Sequence, residues 1–210
     1  MSRFQNTASG AKRKMARLLL VRHGQTDWNV QRRYQGQTDI PLNENGYRQA
    51  ALVAEELKEV ALAAVYSSAL ERAYRTAALI AHSHGIQVIS DPRLNEIDQG
   101  EWEGLRREEI AERYGERLRR WEEDPTSTHP PGGESLNAVR RRVIGCLQEI
   151  VLKHPEDTVC IVAHKVTNAI IMSEILGLSI GEMMRQEPAH TRWEEIRCQA
   201  RYLDKAEGTI

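Results

Sequence analysis

The amino-acid sequence predicts an α/β fold: a three-layer α/β/α sandwich around a mostly parallel central sheet. Short apolar runs, too short to be buried helices, alternate along the chain with longer segments whose apolar residues recur at helical spacing. The clearest run is Thr158–Ala163. A strand that is apolar at nearly every position is typical of a sheet covered by helices on both faces.

The elements follow one another in a regular order. Strands are predicted at the following positions: Arg17–Val21, Ala64–Tyr66, Gln87–Ile89, Thr158–Ala163 and Arg192–Arg197. Helices are predicted at the following positions: from a cap at Asn43 or Asn45 to about Val60, Leu70–His82, Leu105–Glu122, from a cap at Ser135 to about Lys153, Thr167–Leu176, and a short helix capped by Ser179.

Two of these helices are expected to lie differently with respect to the core. The helix Leu70–His82 is expected to turn its apolar residues, Tyr74 among them, towards the core, and Gly85 ends it. The helix Leu105–Glu122 is so strongly charged that we expect it to lie outside the core, as a solvated face. With the Pro- and Gly-rich loop Asp124–Gly133, it reads as an insertion over about residues 105–133 that covers one face.

Composition restricts the class of protein. The chain has 210 residues, which fits one domain, with residues 1–16 predicted as a disordered tail and residues 17–210 as a single domain. Met15 is an alternative start. With 29 basic and 30 acidic residues, the chain lacks the basic excess of a nucleic-acid binder, and no apolar run approaches a membrane span. Three cysteines without a close pair indicate a reducing compartment, and we expect a cytoplasmic protein.

Reactive side chains follow the predicted strands at their carboxyl ends. Arg22 and His23 end the first strand, Arg72 lies just after the second, and His164 follows the strand Thr158–Ala163. Glu96 comes after the short third strand. Ligands of open α/β sheets bind at this edge, so we expect these side chains to form one pocket.

The chemistry of such a pocket points to phosphate. Two arginines and two histidines make a strongly positive site for a phosphoryl group. A neutral imidazole such as that of His23 is a good nucleophile at phosphorus, and a nearby carboxylic acid such as Glu96 can protonate the leaving oxygen. No metal and no cofactor is expected, because the one pair of close histidines, His82 and His84, is isolated on a helix end.

The sequence also resembles a known family, the histidine phosphatase superfamily in its phosphoglycerate mutase-like branch. The resemblance covers about Arg17 to about Gly177. It rests on six ordered motifs: LLLVRHG at residues 18–24 with QTDWN at 25–29, YQGQTDIPL at 34–42 with Gly46-x-x-Gln49-Ala50, SSALxRAxxTA at 67–77, LxE at 94–96 with GxWxG at 100–104, PGGES at 131–135, and VAH at 162–164.

The resemblance implies a role for each of these residues. His23 resembles the phosphorylated nucleophile, Glu96 the proton donor, and Arg22, Arg72 and His164 the phosphate clamp. The remaining family contacts to phosphate or substrate match Asn29, Thr26, Gln35 and Gly36. The chain departs from the family pattern at Lys165, where glycine is usual, and we expect Lys165 either to contact phosphate or to face solvent. The insertion at about 105–133 is then expected to cover the active site.

The function implied is hydrolysis of a small phosphorylated metabolite through a phosphohistidine at His23. One alternative is phosphoglycerate mutase-type transfer, although family mutases tend to carry a longer insertion between the Glu96 region and PGGES. A second alternative is a non-catalytic binding protein, which predicts a missing catalytic residue, yet all five are present. Substrates suggested by the family are sugar phosphates, phosphoglycerate derivatives, phosphoserine and α-ribazole phosphate, with a lean towards the last. The resemblance also admits a homodimer.

Overall fold

The secondary structure follows the predicted alternation. The computed structural model describes residues 14–185 and 193–199. The strands are β1 Ala16–Arg22, β2 Ala64–Ser67, β3 Val88–Ser90, β4 Thr158–Ala163 and β5 Trp193–Cys198. The helices are α1 Asp27–Val30, α2 Glu44–Leu57, α3 Glu71–Ser83, α4 Arg107–Glu123, α5 Leu136–Lys153, α6 Lys165–Leu176 and α7 Ile180–Arg185. Two 3-10 turns lie at Pro92–Leu94 and Gly100–Trp102.

The five described strands form one sheet in the order β3-β2-β4-β1-β5. The β3–β2, β2–β4 and β4–β1 pairs are parallel, and only β5 runs antiparallel, beside β1. The predicted mostly parallel sheet is therefore confirmed. In the register, Arg22 lies opposite Ala163 and Ser67 lies opposite Val162, so β1, β2 and β4 end at one level.

Alternate residues of the sheet pack against different helices. One buried cluster joins Leu18, Leu20 and Ile161 to side chains of α4, α5 and α6. A second joins Leu19 and Val162 to side chains of α2 and α3. Because successive residues of a strand point to opposite faces, the sheet is covered by helices on both sides, which is the three-layer arrangement.

The prediction that the charged helix lies outside the core is wrong. Three apolar side chains of α4 (Ile110, Leu118 and Trp121) are buried in the larger cluster. Trp121 meets Trp102 edge to face, with ring centroids 6.1 Å apart. The three residues form a narrow stripe at helical spacing, and the charges around them conceal it from a composition-based reading.

Helix boundaries differ from the prediction where a cap decides them. Asn43 caps α2 through its side chain, but the helix ends at Leu57, before the predicted Val60. Ser135 caps α5 as predicted. The helix α6 begins at Lys165, two residues early, because His164 has an extended backbone and serves as its N-cap. On α3, Tyr74 is 39% exposed, which contradicts its predicted inward position.

The ends of the chain lie only partly within the described structure. Ala16, which falls within the predicted tail, is buried in β1, so the first strand begins one residue earlier than predicted. Residues 1–13 of that tail, and Arg192 at the predicted start of the last strand, lie outside the described residues. In the described part, no helix has the length and apolar character needed to cross a membrane.

Candidate active site

The carboxyl end of β4 is the centre of the site. The backbone N–H of His23 donates to the Ala163 carbonyl at 3.1 Å, which extends the β1–β4 pairing by one residue. On the other side of β4, the N–H of Ser68 donates to the Val162 carbonyl at 3.1 Å. These two bonds place His23 and Ser68 on either side of His164.

His23 is buried and held in one orientation. Its Nδ1 lies 2.7 Å from the Gly24 carbonyl oxygen. A carbonyl only accepts, so Nδ1 carries the proton and the lone pair of the neutral ring is on Nε2. Gly24 is required here because a Cβ would lie 2.4 Å from the carbonyl oxygen of Gly46, where the loop crosses the start of α2.

The His164 ring lies beside that of His23 with a ring-centroid distance of 5.1 Å and an interplanar angle of 56°. Ser68 Oγ donates to Asn95 Oδ1 at 2.9 Å, so the 2.8 Å contact between His164 Nε2 and Ser68 Oγ is a donation from Nε2. Among the described residues, Nδ1 of His164 has no hydrogen-bond partner. Burial, followed by the charge of Arg72, holds the pKa of His164 well below its usual value, so the ring is neutral at pH 7.

Arg72 is buried at the start of α3, with 1% of its surface exposed. Its two terminal nitrogens donate to carbonyls of one loop, to Gly36 at 2.7 Å and Thr38 at 2.9 Å. In the described structure, Nε has no hydrogen-bond partner. Burial lowers the pKa of Arg72, while nearby carboxylates, with Glu96 first, oppose that shift. Arg72 keeps its charge under such a shift, because the guanidinium group of arginine is not deprotonated in proteins.

Arg22 and Lys165 flank the two histidines along the chain. Arg22 is the last residue of β1, and its charge acts on both His164 and Arg72. Lys165 is the first residue of α6, directly after His164, and is half-buried. Both side chains make interactions of their own within the structure.

Glu96 places its carboxylate at the amino terminus of α6. One oxygen accepts from the N–H of Val166 at 3.2 Å, and the other accepts from the N–H of Ile97 at 3.0 Å. Its backbone carbonyl accepts from Arg142 at 2.9 Å and from the Gln37 amide at 3.1 Å. Glu96 therefore lies beside the segment that carries His164.

Thr26, Asn29, Gln35 and Gly36 form a connected rim. Thr26 is buried and caps α1, and Asn29 Oδ1 accepts from its N–H at 2.9 Å. Gln35 Oε1 lies 3.0 Å from the Thr26 hydroxyl. Since both amide oxygens are engaged by Thr26, the amide NH₂ groups of Asn29 and Gln35 are the donors left for an anion.

Several supporting residues escaped the sequence analysis. Glu103 and Glu134 lie inside the quoted motifs GxWxG and PGGES, so a signal for them existed. Arg142 had no signal, because it is one of three consecutive arginines on α5. The structure separates it from its neighbours: Arg142 donates to the carbonyls of Arg93, Asn95 and Glu96 and pairs with Glu134.

The arrangement is suited to phosphoryl chemistry. The imidazole of His23 lies beside that of His164, the charges of Arg72 and Arg22 act on this pair, and a carboxylate lies at the next helix terminus. The buried guanidinium N–H of Arg72, which has no partner among the described residues, is suited to hold an oxygen of an anion. The five residues predicted to form one pocket are thus brought to one edge of the sheet.

Comparison with known proteins decides the family. The family model for the histidine phosphatase superfamily (branch 1) matches residues 18–204. The chain belongs to this superfamily. The predicted family resemblance and fold class are therefore confirmed.

Individual relatives of this histidine phosphatase agree with that assignment. A phosphoserine phosphatase 1 of Hydrogenobacter thermophilus is 42% identical over 168 residues, covering 80% of each chain. The structure of a mycobacterial glucosyl-3-phosphoglycerate phosphatase complexed with VO3 superposes with a TM-score of 0.78 at 34% identity, covering 85% of this chain and 90% of that one. A putative alpha-ribazole-5'-P phosphatase from Escherichia coli gives a TM-score of 0.79 at 27% identity, covering 87% and 90%. The prediction of a phosphatase is confirmed at this level.

Proposed function

We propose that this histidine phosphatase hydrolyses a small phosphomonoester through a phosphohistidine at His23. The observation that carries the proposal is a buried donor, the Nε–H of Arg72, that has no partner among the described residues. The charge of this guanidinium acts on His164, whose ring centroid lies 5.1 Å from that of His23. A phosphoryl oxygen is the kind of acceptor that such a buried N–H requires.

The first half of the reaction forms the phosphoenzyme. His23 Nε2 attacks phosphorus and makes the P–N bond, while the bond from phosphorus to the leaving oxygen breaks. Glu96 gives its proton to that oxygen. Arg22 and Arg72 hold the equatorial oxygens. His164 joins them through Nδ1 when the charge of the bound phosphate favours protonation of its ring, which places a donor on that nitrogen. The amides of Asn29 and Gln35, with the loop at Thr26 and Gly36, hold the rim of the phosphate.

The second half returns the enzyme to its starting state. Glu96 takes a proton from water, whose oxygen attacks phosphorus. The P–N bond breaks, its electron pair returns to Nε2, and inorganic phosphate leaves. No step calls for a metal ion, because Arg22 and Arg72 supply positive charge at the phosphate.

The substrate is proposed only as a class. The three relatives compared above are named for different phosphomonoesters. The loop motif at residues 35–42 keeps α-ribazole phosphate as the favoured option, which stays a prediction, and Lys165 is proposed as a contact to an anionic part of the substrate. A panel of phosphoserine, sugar phosphates, phosphoglycerates and α-ribazole phosphate, ranked by kcat/KM, tests the choice.

The same panel separates hydrolysis from transfer. Phosphate release should exceed any interconversion of 2- and 3-phosphoglycerate. Rapid interconversion without release of phosphate would instead assign the chain as a mutase. If neither reaction nor a phosphoenzyme were found with any substrate, the non-catalytic alternative would be correct.

The segment 105–133 is proposed to wall the active site. Its first residues lie against the rim: Tyr34 N–H donates to the Leu105 carbonyl at 2.9 Å, next to Gln35. Arg113 and Arg117 of α4 line a cavity of about 650 Å³ in this segment. Arg113→Ala and Arg117→Ala are expected to reorder the substrate panel and to leave turnover of p-nitrophenyl phosphate unchanged. An unaltered ranking of the substrates by kcat/KM would contradict the proposal that this segment forms a wall of the active site.

Cellular setting and assembly stay predictions. A cytoplasmic location is consistent with three buried cysteines that are all free. A net charge of -1 gives no reason to expect a nucleic-acid partner, and we expect no membrane partner. The homodimer is tested by the mass of the purified protein in solution.

A further inference from the structure

The loop Gly36–Thr38 lies between a carboxylate and a guanidinium. On one side, Glu103 Oε1 accepts from the N–H of Gln37 at 2.8 Å, and Oε2 accepts from the N–H of Thr38 at 2.9 Å. The Thr38 hydroxyl donates to the same oxygen, and the N–H of Gln99 donates to Oε1 at 3.1 Å. On the other side, the carbonyls of Gly36 and Thr38 accept from Arg72.

One peptide group joins the two charges directly. The carbonyl of Gly36 and the N–H of Gln37 belong to the same peptide unit. Arg72 donates to its oxygen at 2.7 Å, and Glu103 accepts from its nitrogen at 2.8 Å. Hydrogen bonds in such a chain polarise one another, so the carboxylate strengthens the hold of the loop on the arginine.

The backbone of this loop is shaped to receive the carboxylate. Gly36 has a φ of +52°, a conformation that side chains disfavour. A Cβ at Gly36 would lie 1.9 Å from Glu103 Oε1. The absent side chain therefore allows the carboxylate to approach the loop closely, and the contact is specific to this pair of residues.

The negative charge of Glu103 also affects the pKa of Arg72. Burial lowers the pKa of Arg72, and the negative charges of Glu96, Asp39 and Glu103 oppose that shift. The hydrogen bonds of the Glu103 carboxylate go to the loop and to Gln99, so its effect on Arg72 passes through the loop and through space.

We infer that Glu103 is a positioning residue that fixes the Arg72 guanidinium for oxyanion binding by holding the loop Gly36–Thr38. The inference rests on the proposed function, because it takes Arg72 as part of the phosphate clamp. Glu103 acts on that clamp through the loop and is assigned no contact with substrate. The structure thereby gives a physical role to the second glutamate of the GEWEG segment.

The test compares Glu103→Gln with Glu101→Gln in the full chain. Glu101 is exposed and accepts from the Tyr114 hydroxyl, so it is a matched control two residues away. The amide introduced by Glu103→Gln would place one NH₂ where an oxygen now accepts from backbone N–H groups. We expect Glu103→Gln to weaken binding of inorganic phosphate, measured by calorimetry, by about tenfold or more, since hydrogen bonds to a charged group are lost. Glu101→Gln should bind phosphate as the unaltered protein does.

A second readout distinguishes positioning from general damage. Glu103→Gln should lower kcat/KM for p-nitrophenyl phosphate and for an alkyl phosphate by the same factor, because the proton donor is untouched. In a double-mutant cycle with Arg72→Lys, the double variant should bind phosphate within about twofold of Arg72→Lys alone. If the losses in phosphate binding of the two single variants multiply in the double variant, the inference is overturned, because Glu103 would then act independently of Arg72.

Each remaining outcome of these experiments also supports or overturns the inference. If Glu103→Gln fails to fold by circular dichroism, Thr38→Val, which removes only the hydroxyl donor, should weaken phosphate binding by about two- to threefold, and unchanged binding would overturn the inference. If the unaltered protein binds and hydrolyses phosphate esters but Glu103→Gln equals Glu101→Gln, only the positioning role fails. If the unaltered protein does neither, the proposed function fails and this inference fails with it.

Discussion

The histidine pair shows how neighbouring imidazoles acquire different tasks. His23 holds its proton on Nδ1 against the Gly24 carbonyl, which leaves the lone pair on Nε2, the proposed nucleophilic atom. His164 donates from Nε2 to Ser68, and its depressed pKa keeps its ring neutral in the absence of a bound anion. The hydrogen-bond partners, not the residue types, distinguish the proposed nucleophile from the proposed phosphate ligand.

The depressed pKa of His164 predicts how stability depends on pH. The unfolded histidine binds a proton near pH 6.5, whereas the folded one does so only at much lower pH. The unfolded state therefore binds more protons, and stability is fully present above about pH 6.5 and falls as the pH decreases, with a slope of at most about 1.4 kcal/mol per pH unit from this one group.

Urea unfolding between pH 7 and pH 5 measures this effect. His164→Asn should lose less free energy of unfolding over the interval than the unaltered protein. His82→Asn, a change at an exposed histidine, should keep the original slope. Equal slopes for His164→Asn and the unaltered protein would contradict the assigned pKa direction.

The acid role of Glu96 predicts a dependence on the leaving group. Glu96→Gln keeps an acceptor for the N–H groups of Ile97 and Val166 but cannot give up a proton. Turnover of alkyl phosphates should fall by about 10²- to 10⁴-fold, while p-nitrophenyl phosphate, whose leaving group needs no proton, should lose much less. An equal loss on both substrates would rule out the acid role.

At this scale, sequence motifs could identify the residues that are proposed to contact phosphate, but not the residues that hold those side chains in place. The reactive histidines, arginines and Glu96 follow strand ends, and the strand positions alone bring them together. Arg142 acts through three backbone carbonyls, and carbonyl contacts leave no pattern in the sequence. Its half-buried position beside an apolar stripe depends on how α5 packs on the Pro92–Leu94 turn.

At the scale of elements, α5 supports the segment that carries Glu96, the proposed proton donor. Arg142 donates to the carbonyls of Asn95 at 2.7 Å and Glu96 at 2.9 Å, and its other donors bind Glu134. Burial alone would raise the pKa of Glu134, but the Arg142 hydrogen bonds and the Asp98 N–H hold it below its usual value. The pair thus stays ionised and fixes the segment that carries Glu96.

Loss of the hydrogen bonds that Arg142 donates to these carbonyls and to Glu134 should misplace Glu96. Arg142→Lys retains the charge but cannot bind several carbonyls at once, so kcat for an alkyl phosphate should fall by roughly 10- to 100-fold, as expected for a misplaced catalytic group. The loss on p-nitrophenyl phosphate should be smaller. Arg140→Lys, which changes an arginine of the same helix paired with Glu174, serves as the control and should alter kcat by less than about twofold. Equal effects of the two changes would contradict the support role.

The secondary-structure elements were predicted well where the apolar residues of a segment followed a single helix or strand period. The strand Thr158–Ala163 was found with its predicted bounds, and α5 with its predicted cap. The error at α4 has a physical cause: a stripe of three buried residues suffices to dock a helix whose remaining surface is charged. The early start of α6 depends on the extended backbone of His164, which propensity does not report.

At the scale of the whole molecule, the sheet order places the reactive edge at its middle. Because β4 lies between β1 and β2, residues from distant parts of the chain reach one point: His23, Ser68 and His164. The antiparallel strand β5 pairs with β1 from Ala16 to Val21, at the side of β1 opposite to β4.

The positive charge that Arg22 and Arg72 provide predicts turnover without a divalent ion. In the described residues, no group of three or more metal-binding side chains is placed to hold a metal. Dialysis against EDTA followed by assay with p-nitrophenyl phosphate should leave kcat unchanged. A loss that returns on addition of magnesium, manganese or zinc would contradict a reaction carried by side chains alone.

The central claim is that His23 carries the phosphoryl group during turnover. The most direct measurement is to quench the protein with substrate present and to locate bound phosphate by mass spectrometry. We expect an acid-labile, base-stable phosphate on His23, and none with His23→Ala, whose turnover should be nearly abolished. Substantial turnover by His23→Ala, or phosphate found on another residue, would contradict the account.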